Sequence, residues 1–295
     1  MQHHLYPASQ FGTTEIAARL GLKRARPGEW RGTCPACSYR ESAVLDTRQG
    51  RPLLWCSSCA DKTALAAALR QAAGGTLPAP RAERLPRLER GDRDARIERA
   101  LAVWNGGEPI EPDCPAAKYL ERRRILHVAN SPALRWRRDT PHPGGGRRIA
   151  LIAAVTGADG NFAGVQRVFL KPDGKKADIE PQKASLGMIA GGAVRLQDCS
   201  EELVIGEGIE SAAAAGALLN LPAWAAVSCG NLANSMILPA EIRTVVIAVD
   251  RDPAGERAAR EAWRRWTAEG RALRFLKPSA AGTDAADILA ARGAA

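Results

Sequence analysis

VVIAVDRDPAGERAAR, residues 245–260, decides the fold. Five apolar residues, four of them β-branched, run straight into Asp250, Arg251, Asp252 and Pro253, and a Glu/Arg/Ala-rich helical pattern follows. An apolar run without polar alternation reads as a strand buried on both faces, as in a parallel sheet covered by helices. Asp252 before Pro253 reads as a helix start, with a capping carboxylate and proline at the first helical position. Capping explains Asp252. It explains Asp250, at the end of the buried strand, less well.

Other short apolar runs surround this one: ELVIGE (202–207), AWAAVS (223–228) and ALRFLK (272–277). They alternate with the helical patterns IESAAAAGALLN (209–220) and AGERAAREAWRRWTAEG (254–270). Alternation at this spacing predicts an α/β fold with a parallel sheet flanked by helices. In such a sheet, ligands sit beyond the carboxyl ends of the strands. Glu207 stands at one such end, between Gly206 and Gly208, and Asp250 and Asp252 point the same way at another if the backbone is extended. If the two strands are neighbours, Glu207 lies within a few ångströms of Asp250. Carboxylates that close repel one another unless a hard divalent cation, Mg²⁺ or Mn²⁺, lies between them. GTDAADIL (282–289) adds Asp284 and Asp287. Either is a candidate cap, and Asp287 is also placed to join the cluster. Glu210 is expected only to complement a helix N-terminus.

Upstream, RIALIAAVT (148–156) and FAGVQRVFL (162–170) flank the turn signal GADGN, which predicts a hairpin. Residues 76–99 read as a basic linker: Pro78, Pro80 and Pro86 break helices, and Arg recurs every third position from 81 to 99. CPAC (34–37) and CSSC (56–59) are two knuckles whose four thiols, Cys34, Cys37, Cys56 and Cys59, have the spacing of a closed, structural zinc site. Trp30 and Trp55 each precede a knuckle, so both core packing and base stacking are open to them. Cys114, Cys199 and Cys229 lack partner spacing. The expected organisation is a zinc-ribbon domain at 1–75, the linker at 76–99, a nucleic-acid or nucleotide-binding part at 100–199 and the parallel-sheet domain at 200–295.

Apolar residues form 45% of the chain and charged residues 25%, as in an ordinary globular protein. No apolar run is long enough to span a bilayer, and the N-terminus lacks a secretory pattern, so the expectation is a cytoplasmic protein without membrane contact. The formal net charge of +10 suits a polyanionic partner. Residues 118–148 carry nine Lys/Arg against two acids, which makes this stretch a basic surface. Arg147, Arg148, Arg167, Lys171, Lys175 and Lys176 are the candidates for nucleic-acid or triphosphate contacts.

EGIES, VDRDPAGERAA and TDAADIL together resemble the Toprim domain of bacterial-type primases, topoisomerases and some nucleases. With the cysteine ribbon and the central segments AAKYLERRRI, ALIAAVTGADGNFAGVQRVFLKPDGKKA and KASLGMIAGGAVRL, the chain resembles phage- or plasmid-type DNA primases of mobile elements over nearly its whole length. The resemblance implies a primase-like core ending in the Toprim sheet, with Glu207 as the family's acid, Asp250 and Asp252 as its Asp-x-Asp pair, and Asp287 as the downstream Asp. It implies primer synthesis from NTPs on single-stranded DNA, with Zn²⁺ structural and Mg²⁺ or Mn²⁺ catalytic. No GxxxxGK[ST] stretch occurs, so a replicative helicase would be encoded separately. A Toprim nuclease and a non-enzymatic DNA-binding protein of the recombination-mediator kind use related parts and remain open.

Overall fold

The computed structural model describes residues 11–47, 52–56, 61–75, 90–199 and 201–292. They fall into two compact units, residues 1–87 and 88–295.

The first unit begins with helix α1 (Thr13–Arg19). Four short strands follow, β1 (Lys23–Arg26), β2 (Glu29–Gly32), β3 (Ala43–Asp46) and β4 (Leu53–Cys56), paired in that order as an antiparallel sheet. Helix α2 (Lys62–Ala72) closes the unit, and Asp61 caps it by accepting the Ala64 amide at 2.8 Å. Period-two alternation separates the two tryptophans. Trp30 pairs with Leu45, and Leu45 with Leu54, on the buried face. Trp55 pairs with Val44 and is 39% exposed.

The second unit begins with α3 (Arg90–Asn105), so helix replaces the last ten residues of the expected linker. The physical reason is local: no proline follows Pro86 until Pro109, and from Ala95 the chain is rich in Ala, Arg, Glu and Leu, all helix formers. Residues 76–89 lie outside the described residues. Next come α4 (Pro115–Arg122) and an antiparallel sheet of β5 (Leu134–Pro141), β6 (Arg147–Thr156), β7 (Phe162–Phe169) and β8 (Lys183–Gly187). The expected hairpin is β6–β7, with Ile152 opposite Arg167.

The second sheet of this unit takes β9 (Val194–Arg195), β10 (Glu202–Gly206), β11 (Ala223–Ala225), β12 (Thr244–Ala248) and β13 (Ala272–Leu276) in the order β13-β12-β10-β11-β9. The four strands from β10 onward are parallel, and β9 runs antiparallel at the edge. Helices α5 (Ile209–Leu219), α6 (Cys229–Asn234), α7 (Pro253–Ala268) and α8 (Ala285–Arg292) accompany it. Ile205 and Ile247 lie side by side in the ladder, both fully buried. Truncating either to Ala would cost roughly 2–5 kcal/mol. One hydrophobic cluster runs from Leu151, Val155 and Val168 of the antiparallel sheet through Tyr119 and Leu120 to Val204, Val246 and Ala213. The two sheets are therefore built on a shared core.

Candidate functional site

Cys34, Cys37 and Cys56 bring their sulfurs within 4.8 Å of one another. Tetrahedral Zn–S bonds of about 2.3 Å place neighbouring sulfurs ~3.8 Å apart, and Cys37 Sγ and Cys56 Sγ are 3.8 Å apart. Ser38 and Glu41 take positive φ values of 59° and 51°, tightening the turn after the first knuckle. Hydrogen bonds from the Cys37 and Cys56 thiols pull the Cys34 thiol well below the usual range. The three thiols fit one tetrahedral soft-ligand ion. Cys59, expected as the fourth ligand, lies outside the described residues.

A second cluster forms beyond the carboxyl ends of β10 and β12. These strands are parallel neighbours, with Ile205 opposite Ile247, so Glu207 and Asp250 leave adjacent strand ends, near enough for the Glu207 charge to act on Asp250. Gly206 lets α5 turn back sharply: a Cβ there would meet the Ala212 amide nitrogen at 2.6 Å. Gly255 does the same for α7, where a Cβ would lie 2.5 Å from the Asp250 carbonyl oxygen. Burial pushes the Asp250 carboxyl up to about 7, and the charges of Glu207, Asp284 and Asp252 push the same way against a hydrogen bond from Ser211. Burial also raises Glu207, opposed by the Cys229 thiol, which donates to Glu207 Oε2 at 2.6 Å, and by the Lys183 ammonium. Cys229 reaches it from a strained corner, because Val227 has φ 75°, unusual for a β-branched residue.

The acids are not equivalent. Asp252 Oδ1 accepts the amides of Ala254 at 2.8 Å and Gly255 at 2.7 Å, capping α7 as expected. Asp287 is exposed and closes a reciprocal cap on α8: its Oδ2 accepts the Asp284 amide at 2.9 Å, while Asp284 Oδ1 accepts the amides of Ala286 and Asp287. The downstream acid that reaches the cluster is Asp284 instead. Backbone hydrogen bonds between Arg251 and both Gly282 and Thr283 draw its loop in. Ser211 Oγ donates to Asp250 Oδ1 at 2.8 Å and lies 3.5 Å from Asp284 Oδ2. Among the described residues no three carboxylates bring oxygens within 4.8 Å of one another. Glu207, Asp250 and Asp284 are oxygen donors of the kind a hard cation such as Mg²⁺ takes, directly or through its water shell.

The six basic candidates separate. Arg167 is 5% exposed and donates to the carbonyls of Pro141 at 2.7 Å, Ser185 at 3.2 Å and Ala184 at 3.3 Å. It is an internal cross-link between strand ends, not a groove residue, and burial lowers its guanidinium to about 10. Lys171 pairs with Asp178, and Lys175 with Asp173 at 3.7 Å, both near the surface. Arg147 donates to the Asp139 carbonyl at 2.9 Å, Arg148 donates to the Arg147 carbonyl at 2.8 Å, and both are exposed. Lys176 alone of the six pairs with a buried acid, lying 3.2 Å from Glu210.

The family model described as "Toprim domain" matches residues 202–295, and these residues hold the acid site. Residues 202–295 are a Toprim domain. Residues 94–196, ahead of it, match a second family described as "Domain of unknown function (DUF7146)". No curated protein matches the chain. Among solved structures, the chain is similar to the primase fragment of the bacteriophage T7 primase-helicase protein at 11% identity and TM-score 0.43, over 89% of this chain and 94% of that one. It is similar to the Escherichia coli primase catalytic core at 17% identity and TM-score 0.43, over 68% and 74%. It is also similar to the zinc-binding and RNA polymerase domains of the Aquifex aeolicus primase at 15% identity and TM-score 0.40, over 95% and 80%.

Several residues around the Toprim acids escaped sequence reasoning. Glu210 is buried and takes Lys183 Nζ at 2.9 Å, Lys176 Nζ and the Tyr119 hydroxyl. Burial works against its ionisation, yet Lys183, Lys176 and Tyr119 outweigh it and hold the carboxyl well below the usual range. Tyr119 is 91 residues from Glu210 and Lys183 is 27, so no local pattern pairs them. Only the extreme apolarity of the helix around Glu210 hinted that its side chain needed partners. Among the described residues no helix is long and apolar enough to cross a membrane.

Proposed function

We propose that the chain is a DNA primase that joins NTPs into short RNA primers on single-stranded DNA. In this reading it serves a phage, plasmid or other mobile element, acts in the cytoplasm and works with a separately encoded replicative helicase. The observation that carries the reading is the convergence of Glu207 and Asp250 at neighbouring Toprim strand ends, with Asp284, Asp252 and Lys183 around them.

Glu207 and Asp250 would hold the divalent ion, with Asp284 and the free oxygen of Asp252 reaching it directly or through water. When bound, such an ion lowers the pKa of the attacking 3′-hydroxyl and neutralises the triphosphate. Ser211 orients Asp250, Cys229 orients Glu207, and the α7 cap fixes Asp252. Lys183, with 30% of its side chain exposed, presents positive charge beside the carboxylates, where phosphate oxygens would lie. Exposed Trp55 and the basic residues Arg147, Arg148, Lys171 and Lys175 would meet the template or nucleotide. The thiol cluster would bind Zn²⁺, fold the N-terminal unit and select the start site.

The test is primer synthesis on single-stranded templates with labelled NTPs and Mg²⁺. Asp250→Asn with Asp252→Asn removes both charges, while Asn at 252 still caps α7. This double variant should make no primer and should still bind single-stranded DNA; undiminished synthesis would refute the site. A non-enzymatic DNA-binding role is the second reading, favoured because no three carboxylates among the described residues bring oxygens within 4.8 Å of one another. It would be preferred if the wild type bound DNA equally well without metal and never extended a primer.

A further inference from the structure

Glu210 does nothing in the chemistry above, yet it is the acid best supplied with partners. Its side chain is 8% exposed, and both oxygens face Lys183 Nζ, at 2.9 and 3.0 Å. Lys176 Nζ lies 3.2 Å away on the same carboxylate, and the Tyr119 hydroxyl of α4 donates to it as well. Lys183 Nζ lies over the backbone of Gly208, where a Cβ would be 3.7 Å from it and 3.3 Å from Glu210 Oε2. The ammonium therefore stands between two carboxylates three residues apart, hydrogen-bonded to Glu210 and acting on Glu207 by its charge.

A lysine ammonium is a compact charge on a flexible four-carbon stem. Released from Glu210, it would pair with Glu207 and occupy the oxygens that a metal needs. Glu210 cannot follow it, because Tyr119 and Lys176 hold the carboxylate from α4 and from the segment after β7. We propose that Glu210 is a positioning residue that tethers the Lys183 ammonium off Glu207 and so keeps the Glu207 oxygens free for a divalent cation. The proposal rests on the acid-site reading given above.

The test is Mn²⁺ binding followed by electron paramagnetic resonance, with no turnover required. Glu210→Asp keeps the charge but withdraws the carboxylate by one methylene, so the local field is preserved while the tether loosens. The expected result is an Mn²⁺ dissociation constant raised about five-fold or more. Adding Lys183→Met should bring it back to within about two-fold of wild type, and adding Lys176→Met should not, a coupling of the size that contacting residues show. Wild-type affinity in Glu210→Asp, or effects of Glu210→Asp and Lys183→Met that simply multiply, would overturn the tether. If Glu210→Asp fails to fold, Lys183→Met alone decides. About ten-fold tighter Mn²⁺ binding with Glu210 intact would mean that Lys183 already competes for Glu207, and a change under about three-fold supports the tether. Absence in the wild type of any Mn²⁺ binding that depends on Asp250 would sink the acid-site reading, and the tether with it.

Discussion

Asp250 offers the sharpest measurement. Its carboxyl is pushed up to about 7 in the folded protein, against about 3.9 in an unfolded chain. A raised carboxyl means that the folded state binds more protons than the unfolded state between those two values. Stability from this group therefore falls as pH rises from about 4 to about 7, then levels off. The full displacement corresponds to on the order of 4 kcal/mol. Partial exposure screens it, which makes about 2–4 kcal/mol the expected size. Asp250→Asn removes the charge and keeps an oxygen to accept the Ser211 hydroxyl. The variant should match wild type near pH 4 and exceed its stability by that amount at pH 8 without divalent metal. Urea denaturation read by pulsed hydrogen exchange on peptides of β10 and β12 would follow the second unit separately from the first. Saturating Mg²⁺ should then stabilise the wild type and leave the variant unchanged. A variant no more stable than wild type at pH 8, or an advantage already complete at pH 4, would refute the picture of a buried, mutually repelling acid group.

Three further outcomes follow from particular contacts. Cys37→Ser should release zinc, measured by elemental analysis, and make the N-terminal unit sensitive to protease; stoichiometric zinc in the variant would refute the thiol site. Gly255→Ala would press a Cβ onto the Asp250 carbonyl, so a stability loss of about 1–3 kcal/mol and weaker Mn²⁺ binding are expected, and an unchanged or higher melting temperature would argue against a tight turn. Arg167→Met should remove a buried guanidinium that donates to three carbonyls, destabilising the protein by about 1–3 kcal/mol, while the salt dependence of single-stranded DNA binding stays as in wild type. A shallower salt slope would return Arg167 to the nucleic-acid surface.

Where periodicity and strand ends decide, the sequence was readable. The apolar run to Val249 implied a doubly buried strand, and β12 lies inside a parallel sheet next to β10, so Glu207 and Asp250 follow neighbouring strand ends. Period-two alternation would also have separated Trp30 from Trp55, had the register between their strands been known. What stayed hidden depended on partners distant in sequence. Arg167 resembles any basic residue on a strand until the carbonyls of Pro141, Ala184 and Ser185 close around it. Glu210 resembles an acid at a helix start until Tyr119 and two lysines converge on it. Asp284 and Asp287 share one short motif, and the reciprocal cap, a matter of one hydrogen-bond pattern, decides which of them faces inward. At the expected linker, charge density pointed to a tether, while residues 90–99 form the first turns of α3.

The edge strand β9 has a consequence for how such chains can be recombined. Val194 and Arg195 belong to the stretch matched by one family, yet they complete the sheet of the other. Arg195 also stacks on Trp224, and Gln197 receives the indole N–H of Trp224 and the amide of Ala223. A C-terminal cassette spliced in at residue 200 would arrive with Ala223–Ala225 bare along one side and Trp224 stripped of its cover. The two halves thus share one sheet, and a seam that works for transplantation has to fall upstream of β9.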